Sequence, residues 1–317
     1  MNPYQVYLFL SLAIYPGAFS LLTGFDPKNL PYQSDGAAGQ TGYNQCGNKA
    51  DKNSQCQNLY INSAEDFCVF APPRVLPVGE AERIAVAYCS KYGHGTRLIP
   101  PGTFKTLHYV RTPHYIQITS IGDFTKLNVP ANDEGGELGR FPQLPILLLR
   151  LGGEVADNLP SSNFRSFRVR TSSSTVDNFS SLNHLPFHSP DGHGNPVGGL
   201  VFGERGQFNH WTEFLSYNEL SIRACFNTDQ AYRYCEHIYD LEGSRWNMPG
   251  EYDTPGFDQC EGEDVPLPMG EYRRPDGSIY KWKRGSSPMP PPGAPGKIKT
   301  CKKVRAPGLN YPRSTRR

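Results

Sequence analysis

Short alternating runs dominate the pattern of hydrophobic and polar positions along this chain. Within residues 87–127, Leu107-His108-Tyr109-Val110 and Tyr115-Ile116-Gln117-Ile118 are rich in β-branched and aromatic residues, the composition of strands. Arg111-Thr112-Pro113-His114 between them has the length of a hairpin loop. Pro100-Pro101-Gly102-Thr103 upstream and Ile121-Gly122-Asp123-Phe124 downstream break the chain as turns, so a meander is expected. Residues 80–89, EAERIAVAYC, predict another strand from their alternation. Residues 229–239 have helix-like content, with Asp229 placed to cap them. The fold class these patterns predict is β-rich, mainly β with minor α, as a compact disulfide-stabilised secreted domain.

Punctuation then divides the chain. Residues 1–20 read as a cleaved signal peptide, because 4–22 is the one strongly apolar N-terminal run and Ala18-Phe19-Ser20 offers small residues for cleavage. Residues 21–42 read as a flexible N-terminal segment. A β-rich cysteine-containing domain follows over 43–284, and residues 285–317 read as a Pro-rich, basic, disordered tail that should not pack. No later run approaches the roughly 20 apolar residues that span a bilayer, so no membrane contact is expected after signal cleavage. A net charge of +2 gives no electrostatic case for nucleic acid.

The eight cysteines, Cys46, Cys56, Cys68, Cys89, Cys225, Cys235, Cys260 and Cys301, change the picture most. They are even in number, and none forms the Cys-x-x-Cys spacing of structural zinc, so disulfides are expected. Eight cysteines allow 105 connectivities. Cys46 with Cys56 and Cys225 with Cys235 would close short local loops.

The segments YNQCGNKADKNSQCQNLYINSAEDFCVFAPP, YGHGTRLIPPGTF, VRTPHYIQITSIGDFTKLNVP, GNPVGGLVF and CEHIYDLEGSRWNMPGEYD resemble the secreted fungal macrophage-activating glycoproteins of basidiomycetes. The resemblance covers most of 43–272. It implies an extracellular protein and supplies no catalytic residues. Two departures stand out. Residues 139–187 interrupt the family pattern with a Leu-rich run and an Arg-dense run, and read as a disordered insert outside the packed domain, either a genuine insertion or a retained intron. The family pattern also has two further cysteines near Ser221 and Ser244, whose joint absence fits the loss of one disulfide.

Candidate chemistry is sparse. Asp133, Glu134 and Glu137, if brought near His188, Asp191 and His193, would offer oxygen and imidazole ligands to a divalent cation. Asn178-Phe179-Ser180 is a glycosylation acceptor. There is no Gly-x-Ser-x-Gly elbow, and no cofactor is implied. His94 and His108 fit hydrogen-bonded structural roles, and Trp246 reads as a buried anchor. Tyr88, Tyr92, Tyr109 and Tyr115 lie on or beside the central strands, where an exposed row of rings would mark a glycan surface. The functional expectation is a secreted non-catalytic extracellular or cell-wall-associated glycoprotein-like protein contacting a cell-wall glycan or a host-cell surface. The alternative is a carbohydrate-active hydrolase using paired carboxylates.

Overall fold

The computed structural model describes residues 24–140, 193–286 and 288–308. Among the described residues, fifteen strands form three sheets, with three single-turn α-helices. The first sheet, of six strands, is ordered β4-β3-β2-β1-β8-β9. Its members are β1 (Asn58–Ser63), β2 (Asp66–Ala71), β3 (Val86–Cys89), β4 (Arg97–Leu98), β8 (Leu200–Gly203) and β9 (Gly206–Phe208). The second, of seven, is ordered β15-β12-β5-β6-β11-β10-β7. It contains β5 (Thr106–Arg111), β6 (Tyr115–Ile121), β7 (Gly136–Arg140), β10 (His210–Leu215), β11 (Glu219–Cys225), β12 (Gly256–Gly262) and β15 (Ile298–Lys303). A small hairpin, β13 (Glu271–Arg273) and β14 (Ile279–Lys281), stands apart.

The two large sheets share one core. β2 and β3 are buried almost throughout, and their Phe and Val side chains meet the apolar positions of β5, β6, β10 and β11. Phe70 and Trp211 bring their rings to 5.3 Å, and Phe67, Phe104 and Phe124 form an edge-to-face chain. One polar bond also crosses between the sheets, since Phe70 N donates to Glu213 Oε2 at 3.0 Å. Burial drives the Glu213 carboxyl well above its ordinary pKa.

The hairpin expected at 107–118 is β5 and β6, paired in antiparallel register. All eight cysteines are bonded, and the two local pairs, Cys46–Cys56 and Cys225–Cys235, are as expected. The long-range pairs join register partners on adjacent strands, Cys68–Cys89 across β2 and β3 and Cys260–Cys301 across β12 and β15.

Several boundaries differ from the pattern reading. Over 80–89 only β3 is extended. The start is α1 (Val78–Ala81) and a 3-10 turn, Glu82–Ile84. Asp133 Oδ2 accepts from Val78 N there and supports the turn. The helix expected over 229–239 shrinks to α2 (Ala231–Tyr234), with no capping bond from Asp229, because Cys235 must reach back to Cys225. The N-terminal segment is held in place: Gln33 Nε2 donates to Gln40 O and Gly42 O, and Ser34 Oγ donates to Gly198 O. Amide bonds supply the order there that apolar periodicity did not announce.

The Pro-rich basic tail is corrected in the same way. Ile298–Lys303 is the edge strand β15, and the chain before it packs on α3 (Ser244–Asn247) and β13. Gly139 and Arg140, assigned to the insert, close β7 against Thr212 and Trp211 of β10. The remainder of 139–187, the signal peptide at 1–20 and Asn178 lie outside the described residues. Among the described residues, no helix is long and apolar enough to cross a membrane.

Candidate functional site

Strand alternation sorts the side chains of β5, β6 and β12 onto two faces. Leu107, Tyr109, Ile116 and Ile118 enter the core. On the opposite face His108, Val110, Gln117, Thr119 and Asp258 line a groove of about 430 Å³, within the usual range of small-ligand sites. Residues 249–254 wall one side and Pro295, Gly296 and Ile298 line the groove as well. Hydrogen bonds hold this arrangement. His108 Nδ1 lies 3.1 Å from Asp258 Oδ1, and Nε2 lies 2.9 Å from the Thr254 carbonyl. Gln117 Nε2 donates to Pro249 O, Thr119 Oγ1 to Glu251 O, and Thr106 Oγ1 to Tyr252 O.

Beside Gln117 stands Arg223 of β11, its cross-strand partner, with a fully buried guanidinium. Nε and Nη2 donate to Gln117 Oε1, Nη1 donates to Tyr234 O, and the group sits 4.5 Å from the Tyr115 ring centroid. Burial pulls its pKa down, and the bonds and ring contact keep the charge tolerable. Further along the same face, Ser221 Oγ and Ser244 Oγ are 2.7 Å apart, and Ser244 Oγ is 3.0 Å from Tyr252 OH.

A second, ionisable cluster lies at the far edge of the seven-stranded sheet. Glu137 on β7 accepts a bond from Thr212 Oγ1 and meets His237 Nδ1 at 2.6 Å. Glu82 Oε2 accepts from Asn195 Nδ2 at 3.1 Å. Burial, then the charges of Glu137 and Asp240, push the Glu82 carboxyl up to about 8. Burial also raises Glu137. For His237 burial works downward, but the Glu137 charge and hydrogen bond outweigh it, and its pKa is raised. His237 in turn works against the rise at Glu137 through its charge and hydrogen bond. His210 goes the other way, down to about 4, through burial and the neighbouring His237 charge. Gly139 is required here, because a Cβ would lie 1.8 Å from His237 Cε1.

The cation ligands proposed from sequence are distributed among different partners. Asp133 accepts from the backbone N–H groups of Val78 and Gly135, Glu134 is exposed, and Glu137 faces Thr212 and His237. His193 Nδ1 lies 2.8 Å from Asp35 Oδ2, while His188 and Asp191 lie outside the described residues. Among the described residues, no group of three or more His, Cys, Asp or Glu is arranged to hold a metal. Tyr88, Tyr109 and Tyr115 are buried and Tyr92 is exposed, so these four make no exposed row. His94 and His108 are hydrogen-bonded as expected, and Trp246 is a buried anchor, 4% exposed. Sequence reasoning missed Glu82, His237 and Asn195, which no local spacing connects.

Comparison with known proteins places the chain. Appressorium protein ROW2 of Mycosarcoma maydis is 34% identical over 302 residues, spanning 92% of this chain and 86% of ROW2. The chain belongs to the ROW2 family of fungal appressorium proteins. Appressorium protein ROW1 of the same fungus is 36% identical over 269 residues, 82% of this chain and 50% of ROW1. The kinship with fungal proteins thus holds, whereas the macrophage-activating label is carried by neither relative. No family profile matches the chain, and no solved structure matches it.

Proposed function

We propose that this protein is a secreted, non-catalytic component of the fungal cell surface that contacts a neutral glycan through the groove on β5, β6 and β12. The observation that carries this reading is the composition of the groove. Thr112, Gln117 and Thr119 put amide and hydroxyl groups, each already bonded within the protein, into its lining beside His108, Glu251 and Asp258, and Val110, Pro249 and Ile298 give apolar flanks. Sugars offer the same two chemistries, hydroxyl edges and C–H faces. Bonding of the eight cysteines suits an oxidising exterior, and the relatives' names connect the family with the appressorium.

A glycan array probed with purified protein tests the proposal, with release of reducing sugar followed from the same glycans. The expected outcome is binding that falls at least about tenfold in Thr119→Val/Thr112→Val, a loss of about 1.4 kcal/mol, with no sugar released. Binding unchanged in that variant would overturn the groove assignment. The hydrolase reading keeps one supporting observation, the raised carboxyl of Glu82 beside Glu137. Sugar release abolished by Glu137→Gln would replace the binding proposal with that one.

A further inference from the structure

Residues 288–296 cross a separate aromatic cluster, remote in chemistry from the groove. Tyr239, Trp246, Met269 and Trp282 form its buried centre, with Tyr272 and Tyr280 packed against them. Trp246 and Tyr239 meet edge-to-face at 4.7 Å, and Tyr239 and Trp282 stack at 5.6 Å. Over this surface run Pro288, Met289, Pro290, Pro291 and Pro292. Trp246 Nε1 donates to the Pro290 carbonyl and Tyr272 OH to the Pro291 carbonyl, each at 2.9 Å. Gly293 lines a small pocket together with Pro268, Gly270 and Tyr272. The outward side of the strap is open: Met289, Pro291 and Pro292 are exposed, and only Pro290 is half-buried.

These are the elements of polyproline recognition. Proline rings fix φ, leave the backbone carbonyls without internal hydrogen bonds, and give an extended helix that loses little entropy on docking. Aromatic walls take the rings, while an indole N–H and a phenolic O–H take consecutive carbonyls. The prolines' nitrogens carry no hydrogen, so the strap's backbone offers only carbonyl acceptors there and both donors come from the aromatic cluster. Trp282 Nε1, in the same cluster, is buried and has no acceptor, so the resident strap leaves one indole donor unused.

We propose that the Trp246 and Tyr272 surface is a binding site for extended proline-rich segments, which this chain closes with its own residues 288–293. The strap is tethered on both sides, by β14 and by β15 with its Cys260–Cys301 bond. A tether of this kind supplies the ligand at an effective concentration on the order of millimolar, so a free segment competes poorly while the strap is seated. The site therefore serves proline-rich partners only where the strap is lifted.

The test replaces 288–293 in the full chain by a Gly/Ser segment of equal length and titrates it with the peptide Pro-Met-Pro-Pro-Pro-Gly, read by tryptophan fluorescence. Retention of all four disulfides in peptide mapping establishes that the variant is folded. Saturable binding at least about tenfold tighter than to the intact chain is expected, with loss when alanines replace the peptide's prolines. A folded variant that ignores the peptide, or binds the alanine peptide equally, would overturn the proposal. If the replacement prevents folding, Tyr272→Phe in the intact chain supplies the answer through hydrogen exchange of the Trp246 indole N–H. About tenfold faster exchange supports a strap seated by the two donors together, and unchanged exchange overturns it.

Discussion

The groove face and the edge cluster belong to the same sheet yet are stabilised by opposite means. On the groove face, Gln117, Thr119, Ser221 and Ser244 meet their partners through amide and hydroxyl hydrogen bonds, and His108 meets Asp258 and the Thr254 carbonyl. At the edge, Glu82, Glu137 and His237 are buried together and must share protons to coexist. The groove face can tolerate chemical replacement of one bond by another. The edge cluster binds the fold to the acidity of its surroundings.

The largest expected effect comes from the groove face. Ser221 on β11 and Ser244 on α3 bring their side-chain oxygens to 2.7 Å. Ser221→Cys/Ser244→Cys should therefore form a fifth disulfide in place of the hydrogen bond. The residues are 23 apart in sequence, and closing such a loop stabilises by about 3 kcal/mol on the chain-entropy argument. Calorimetry under oxidising and reducing conditions checks this. An oxidised variant less stable than the wild type would mean that Tyr252, which also bonds Ser244, sets the spacing.

Much of this face was legible in the chain. The alternation of Leu107, Tyr109, Ile116 and Ile118 with His108, Gln117 and Thr119 identifies both strands and which residues leave the core. The local disulfides were legible as well, because 10 residues separate the cysteines of each pair. β15 was not, since IKTCKK is basic, all its residues are exposed, and its place is set by β12 and Cys260 rather than by its own pattern. Lysines suit an open edge of this kind by discouraging strand addition. The edge cluster was hidden for a related reason. Glu82 falls in the strand expected over 80–89 and His237 in the helix-like stretch 229–239, and only the pairing of β7 with β10 brings Glu137 to Thr212 and His237.

The edge cluster carries the next effect. Glu82 has a folded pKa of about 8, above its ordinary value of 4.5, so between these limits the folded chain binds more protons than the unfolded chain. Its contribution is fully present below about pH 4.5 and is lost as pH rises toward about 8. Glu137 and His237, both raised, act in the same direction, His237 above its ordinary 6.5. Thermal unfolding should thus show stability falling from about pH 5 to about pH 8. Glu82→Gln should flatten that slope and leave Ser221→Cys/Ser244→Cys unaffected. A wild-type profile that rises over this interval would remove the distinction between the two regions.

The smallest effect concerns the neck at which the chain leaves and re-enters the sheet beside that cluster. Gly139 N donates to Asn195 O at 2.8 Å and Asn195 N to Gly139 O at 2.9 Å, so the two flanks are already paired, and Asn195 also bonds Glu82. Joining Arg140 to His193 through a short Gly/Ser linker keeps every one of those bonds. Shortening a loop gains only about 0.6 kcal/mol per halving of its length, so this variant should be no less stable than the wild type. Joining Leu138 directly to His188 is a different operation. It removes Gly139 and Arg140 from β7, leaving Thr212 and Trp211 without their strand partners and Asn195 without its bridge. The direct fusion should accordingly unfold first, and its pH slope should shrink, because Asn195 no longer holds Glu82. Equal stability of the two fusions would show that the neck is dispensable and that the cluster, not the strand pairing, closes this edge.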